Sequence, residues 1–191
     1  MTLTNTLRIA GSSMLLFVCA GFAAAQGQQF NTPTTTSNLA MSATVQTSIQ
    51  LDISTGTGGS PVTGTNGSGL FSIDFGVVDG LGLGTPASGV SVSADGTGAT
   101  YSSPINMTPT FTGFTNPATA SVTIDAGGDA DQAIAREGAT AGTMTAVTTN
   151  HASLTAVNSE SVNERFVGFR ISRTEEAGPK AATFVYTITV D

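Results

Sequence analysis

The sequence predicts an all-β protein, an antiparallel β-sandwich of about seven to nine strands. Three observations point there. Apolar and polar residues alternate with period two in several separate stretches, the mark of a strand with one buried face. Gly, Pro and Asn punctuate the chain between those stretches. No stretch of eleven or more residues holds a convincing 3.6-residue period.

The longest alternation occupies residues 39–53. Leu39, Met41, Ala43, Val45, Ile49, Leu51 and Ile53 fall on one face, and Ser42, Thr44, Gln46, Ser48, Gln50 and Asp52 on the other. Fifteen residues at roughly 3.3 Å each span about 50 Å, whereas an ordinary strand runs about 17–20 Å. One small sandwich cannot cover such a strand. Either it bends and serves two sheets, or its first half leaves the domain and pairs with another molecule.

The other elements follow in order. Residues 54–69, nearly all Gly, Ser, Thr, Pro and Asn, read as a loop. In 70–78, Phe71, Ile73, Phe75 and Val77 share one face of a second strand. Residues 80–89 are a turn region, Val90 and Val92 mark a short strand, and Asp95-Gly96 is a hairpin turn. The strand over 101–114 carries Ile105, Met107 and Phe111 in phase. Pro109 falls within that phase, so the strand is expected at an edge or bulged there, because Pro has no N–H to donate. Strands are expected again at 120–124 (Val122 and Ile124 inward), 144–147, 154–157, 164–173 (Val167, Phe169 and Ile171 inward) and 182–191 (Phe184, Tyr186, Ile188 and Val190 inward). Residues 125–143 read as a loop or one helical turn. With no Trp in the chain, Phe71, Phe75, Phe111, Phe114, Phe166, Phe169 and Phe184 are the expected bulky core.

The 191 residues favour one domain over 38–191, after a leader and a loose tail. Arg8, the short apolar run 9–22 and Ala23-Ala24-Ala25 have the form of an export signal over 1–25. Residues 26–37 lack periodicity and read as a flexible tail. No later stretch is long and apolar enough for a membrane span. Export to the periplasm, the cell surface or the medium is therefore expected, without membrane insertion after the signal is removed. The single cysteine, Cys19, lies in the leader, so the mature chain is expected to hold neither disulfide nor thiolate site. Beyond the leader, thirteen acidic residues face five basic ones (Arg136, Arg165, Arg170, Arg173 and Lys180). That balance argues against nucleic acid as a partner.

Candidate chemistry is sparse. Asp125, Asp129 and Asp131 form an acidic loop with Gly127-Gly128, a weak Ca²⁺ candidate whose spacing is not that of a helix–loop–helix calcium site. The lone His151 lies near Ser153, but no G-x-S-x-G elbow accompanies them. Arg165, Arg170 and Arg173 are expected to pair with Glu160, Glu164, Glu175 or Glu176 as a polar face. No catalytic residue and no cofactor are expected.

Three stretches carry a resemblance: the run 39–53, the segment Ile73-Asp74-Phe75-Gly76-Val77, and the closing Phe184-Val185-Tyr186-Thr187-Ile188-Thr189-Val190. Together they resemble the spore coat U-like secreted pilins and related bacterial fimbrial subunits. The resemblance implies an incomplete immunoglobulin-like sandwich whose N-terminal segment inserts into the open groove of the next subunit. Leu39, Met41, Ala43 and Val45 would then be the donor residues. Filament neighbours of the same kind, and a periplasmic chaperone, would be the partners. The chain departs from that pattern in lacking the cysteine usual near 45–49 and in the length of its 54–69 insert. The alternative expectation is a monomeric secreted sandwich of binding or matrix type.

Overall fold

The computed structural model describes residues 40–64, 69–114 and 118–191. The leader, the tail, Leu39, Asn66-Gly67 and Asn116-Pro117 lie outside the described residues. The chain divides into two units, Met1–Ala43 and Thr44–Asp191, and the second holds every strand described below.

Eleven strands are present among the described residues: β1 (Ser48–Thr55), β2 (Val62–Gly64), β3 (Phe71–Ile73), β4 (Ser91–Ala94), β5 (Gly98–Thr112), β6 (Ala120–Ala126), β7 (Ala135–Gly138), β8 (Thr145–Ala146), β9 (His151–Val157), β10 (Asn163–Ser172) and β11 (Phe184–Val190). One 3-10 turn, Gln132–Ile134, precedes β7. All pairing is antiparallel. The larger sheet runs β1-β5-β10-β7-β8, with β4 also on β5; a second sheet runs β11-β6-β9; β2 and β3 form a small hairpin.

The organising strand is β5 rather than the 39–53 run. Its fifteen residues carry β10 along one edge, from Gly98 to Met107. The other edge is shared by β4, opposite Ala99 to Ser102, and β1, opposite Ile105 to Thr112. Ala99, Tyr101, Ile105 and Met107 from β5, Val167 and Ile171 from β10, Val122 from β6 and Leu154 from β9 meet with Phe75 in one core. The two main sheets therefore bury their inner faces against each other. Full burial of a side chain such as Ile105 or Met107 contributes about 1.5–3 kcal/mol. The Tyr101 hydroxyl is also paired inside: it donates to the carbonyl oxygen of Asp79 and accepts from the Asp79 amide, each at 3.0 Å.

Two prolines sit in β5 without breaking it. The Pro104 carbonyl accepts from the Gly56 amide at 3.1 Å, so the donorless Pro104 nitrogen faces the seam between the ends of β4 and β1. The Pro109 carbonyl accepts from the Glu160 amide at 2.7 Å. Its nitrogen thus faces the β10 side, beyond the point where β10 begins opposite Met107. Because N–H and C=O of one strand residue point the same way, neither proline removes a ladder bond. The expectation at Pro109 holds locally, since Pro109 lies past the start of β10 and has a strand partner on the β1 side alone. The strand is internal from Gly98 to Met107, and its far end, which holds Pro109, is an edge on the β10 side.

Other expectations change in detail. The ladder of the 39–53 run begins only at Ser48, and residues 40–47 are not in a strand. The 54–69 loop contributes β2. The 70–78 strand shrinks to β3, because the Asp74 carboxylate captures the Gly76 amide at 2.8 Å and Gly76 turns the chain at φ 71°. The 125–143 stretch holds the expected single helical turn but also β7. Of the seven expected core phenylalanines only Phe75 and Phe111 are buried, and the largest fully buried side chains include Tyr101 and Met107. Phe169 is half-buried and meets Phe75 edge-on, with centroids 5.2 Å apart.

Candidate functional site

Two features stand out among the described residues: a pair of unpaired strand edges with incompletely covered apolar residues, and a charged cluster buried in the core.

The first lies where β1 ends the larger sheet and β11 ends the smaller one. Register places Ile49, Leu51 and Ile53 opposite Phe111, Pro109 and Met107, on the inward face. Ile49 is nevertheless 46% exposed. The inward stripe of β11 behaves likewise. Phe184, Tyr186, Ile188 and Val190 are all half-buried and none is fully covered. No further strand pairs with the outer edge of β11 among the described residues. Of the donor candidates, Met41 and Val45 are 88% and 82% exposed, Ala43 is exposed, and Leu39 lies outside the described residues. Sequence reasoning found this segment; it did not show that β11 would be left with an open edge.

The second feature was missed. The Glu137 side chain on β7 is wholly buried. Arg165 on β10 grips it in a fork, Nε to Oε1 at 2.6 Å and Nη2 to Oε2 at 2.9 Å. The Ser153 hydroxyl on β9 donates to Oε1 at 2.8 Å, and His151 Nε2 stands 3.6 Å from Oε2. A buried carboxylate needs such partners, since its desolvation otherwise costs several kcal/mol. His151 and Ser153 are thus brought together, two residues apart on one strand, but on a shared carboxylate. The serine proton goes to Glu137, and Ser153 itself is buried, so the pair lacks the serine-to-imidazole bond of a nucleophile and its base. The only sequence signal for Glu137 was the alternation of Ala135 and Glu137 against Arg136, too short to stand out.

The arginines pair differently from expectation. Arg165 holds Glu137. Arg170 Nη2 meets both carboxylate oxygens of Asp95 at 2.7 Å, and Arg173 Nη2 donates to the Asp95 carbonyl. The Arg170 guanidinium, with the Thr97 hydroxyl and amide, holds the Asp95 carboxyl far below the usual carboxylate range. Glu175 takes Lys180 instead, at 2.7 Å. In the acidic loop, Asp131 accepts from the Ala181 amide and lies 3.6 Å from Lys180, while Asp125 accepts from the Ala126 amide. Among the described residues, no three His, Cys, Asp or Glu side chains come together as a metal site.

Tyr186 completes the cluster from β11. Its hydroxyl is buried without a hydrogen-bond partner among the described residues. Burial, with the nearby Glu137 charge, pushes its phenol well above the ordinary value. The folded state keeps that proton when the unfolded chain gives it up at about pH 10. The contribution is complete below pH 10 and is lost as pH rises above it. Tyr186→Phe removes an unsatisfied buried polar atom and is expected to be neutral or to stabilise by about 1 kcal/mol. Urea melts at pH 8 and above pH 10 check both points: the variant should lose less stability than wild type across that interval, and a parallel loss in both would assign the alkaline limb to other groups.

No family model, curated protein or solved structure matches the chain.

Proposed function

We propose that the protein is an exported structural or adhesive subunit of a bacterial surface filament, built on an immunoglobulin-like sandwich and joined to its neighbours by strand addition. The observation that carries this reading is the half-covered inward stripe of β11 beside a free edge. An added strand would supply the missing backbone pairing and cover Phe184, Tyr186, Ile188 and Val190. The proposed occupant is the 39–45 segment of a second copy. Its length equals that of β11, seven residues. Its four alternate apolar side chains, Leu39, Met41, Ala43 and Val45, match the four inward positions of that strand. Main-chain bonds would provide affinity and the alternate side chains specificity. A periplasmic chaperone would shield the same edge before assembly. The buried Glu137 cluster serves in this reading to hold the two sheets in register, with no catalytic part.

The reading is tested with two forms of the mature protein, one beginning at Gln26 and one at Gln46. The longer form is expected to assemble, as measured by light scattering after gel filtration. The shorter should stay monomeric, keep its β-type circular dichroism and bind a synthetic peptide copying residues 38–46. Met41→Asp with Val45→Asp in the peptide should weaken binding at least tenfold, about 1.4 kcal/mol. A long form that remains monomeric at high concentration, beside a short form that ignores the peptide, overturns the proposal and leaves a monomeric secreted sandwich.

A further inference from the structure

The outer face of the larger sheet carries a groove of about 650 Å³, within the range of small-ligand sites. Register explains how it is built. Ser91, Ser102, Gly168 and Arg136 lie in one row across β4, β5, β10 and β7. Ser93, Thr100 and Arg170 form the next row. Serine and threonine hydroxyls therefore line one side and two guanidinium groups the other, with the Asp95 carboxylate beside Arg170 and the 141–144 loop as a wall. Gly168 puts no side chain between the hydroxyls and Arg136.

The two arginines are not equivalent. Arg170 is neutralised by Asp95 and tied to the Thr97 and Thr100 hydroxyls. Arg136 is held only through Nη1, which donates to the carbonyls of Ala133 and Ala135 at 2.6 and 3.0 Å. Among the described residues no carboxylate lies within ion-pair distance of Arg136, and its Nε and Nη2 have no protein acceptor. Burial and the neighbouring Arg170 charge both disfavour its cation. A positioned, partly buried guanidinium whose Nε and Nη2 have no protein acceptor among the described residues is a preformed place for an anion.

We propose that this groove binds an acidic monosaccharide unit, its carboxylate on the open Nε/Nη2 edge of Arg136 and its ring hydroxyls on Ser91, Ser93 and Thr100. The carboxylate supplies the charge that Arg136 lacks, and a polyhydroxylated body suits a wall of hydroxyls that both donate and accept. The site is separate from the β1 and β11 edges and stands whether or not subunits assemble.

Galacturonic acid, galactose and acetate are the probes, titrated into the mature protein and followed by amide chemical shifts. Galacturonate is expected to bind at least about tenfold more tightly than either galactose or acetate. Arg136→Gln should lower its affinity by about tenfold or more, and Lys180→Gln, which removes the same charge elsewhere, should not. Ser91 and Ser93 are exposed, so Ser91→Ala with Ser93→Ala leaves the fold alone and should weaken binding about fivefold even if Arg136→Gln misfolds. Galactose or acetate binding as well as galacturonate, equal losses in Arg136→Gln and Lys180→Gln, or no change in the double serine variant would each overturn the proposal.

Discussion

Glu137→Ala is expected to cost about 3–5 kcal/mol of folding stability, lowering the melting temperature by roughly 10 °C in a domain of this size. The loss does not come from a favourable ion pair as such. Arg165 is only 12% exposed, and removing its carboxylate leaves a guanidinium stranded in the core with the Ser153 hydroxyl unpaired. Glu137→Leu with Arg165→Met separates the two ideas. Replacing both partners by apolar side chains removes the stranded charge and is expected to restore most of the stability, giving a coupling of about 2 kcal/mol or more in a double-mutant cycle. Urea denaturation measures wild type, the double variant and its two singles, Glu137→Leu and Arg165→Met, beside Glu137→Ala. A single variant that loses under about 1 kcal/mol would mean that Arg165 reaches water once released.

Gly168→Ala is expected to destabilise by about 3 kcal/mol, though it adds one methyl group to a strand that alanine ordinarily tolerates. A Cβ at Gly168 would land on the carbonyl oxygen of Tyr101, and next to it on the Ser102 Cα. Those are backbone atoms of β5, which cannot swing aside as a side chain would. Making room means separating β10 from β5 at the centre of the larger sheet, beside the fully buried Tyr101. Gly142→Ala is the control: its added methyl meets nothing within 4 Å, and it should leave the melting temperature within a degree or two. Similar behaviour of the two variants would show that the close approach at Gly168 is relieved at little cost.

Much of the strand pattern was legible because a side-chain period of two survives any choice of partner. Ile105, Met107 and Phe111 in β5, Val122 and Ile124 in β6, and Val167 and Ile171 in β10 announce their inward face by spacing alone, and all are buried. The Asp95-Gly96 hairpin was legible for a local reason: the Asp95 carboxylate binds the Thr97 and Gly98 amides within its own turn. Pro109 shows where local information stops. A missing N–H is visible in the sequence, but which side of the strand it faces, and whether a neighbour lies there, depends on where β10 begins. The candidate sites divide in the same way. The alternating 39–45 segment needed only the sequence. The open edge of β11 and the Arg136 groove needed the order of strands.

By itself, then, the sequence determined that this is an all-β chain, which faces of its main strands are apolar, and that an apolar alternation precedes Ile49. These follow from local stereochemistry and the hydrophobic effect acting along single strands. Only the tertiary structure decided that β5 organises the larger sheet and that Glu137 and Arg165 meet in the core. It also decided that Arg136 has no carboxylate within ion-pair distance among the described residues. Those outcomes rest on pairings between residues distant in sequence, where register sets which side chains share a row, and no periodicity within one segment encodes the register of another.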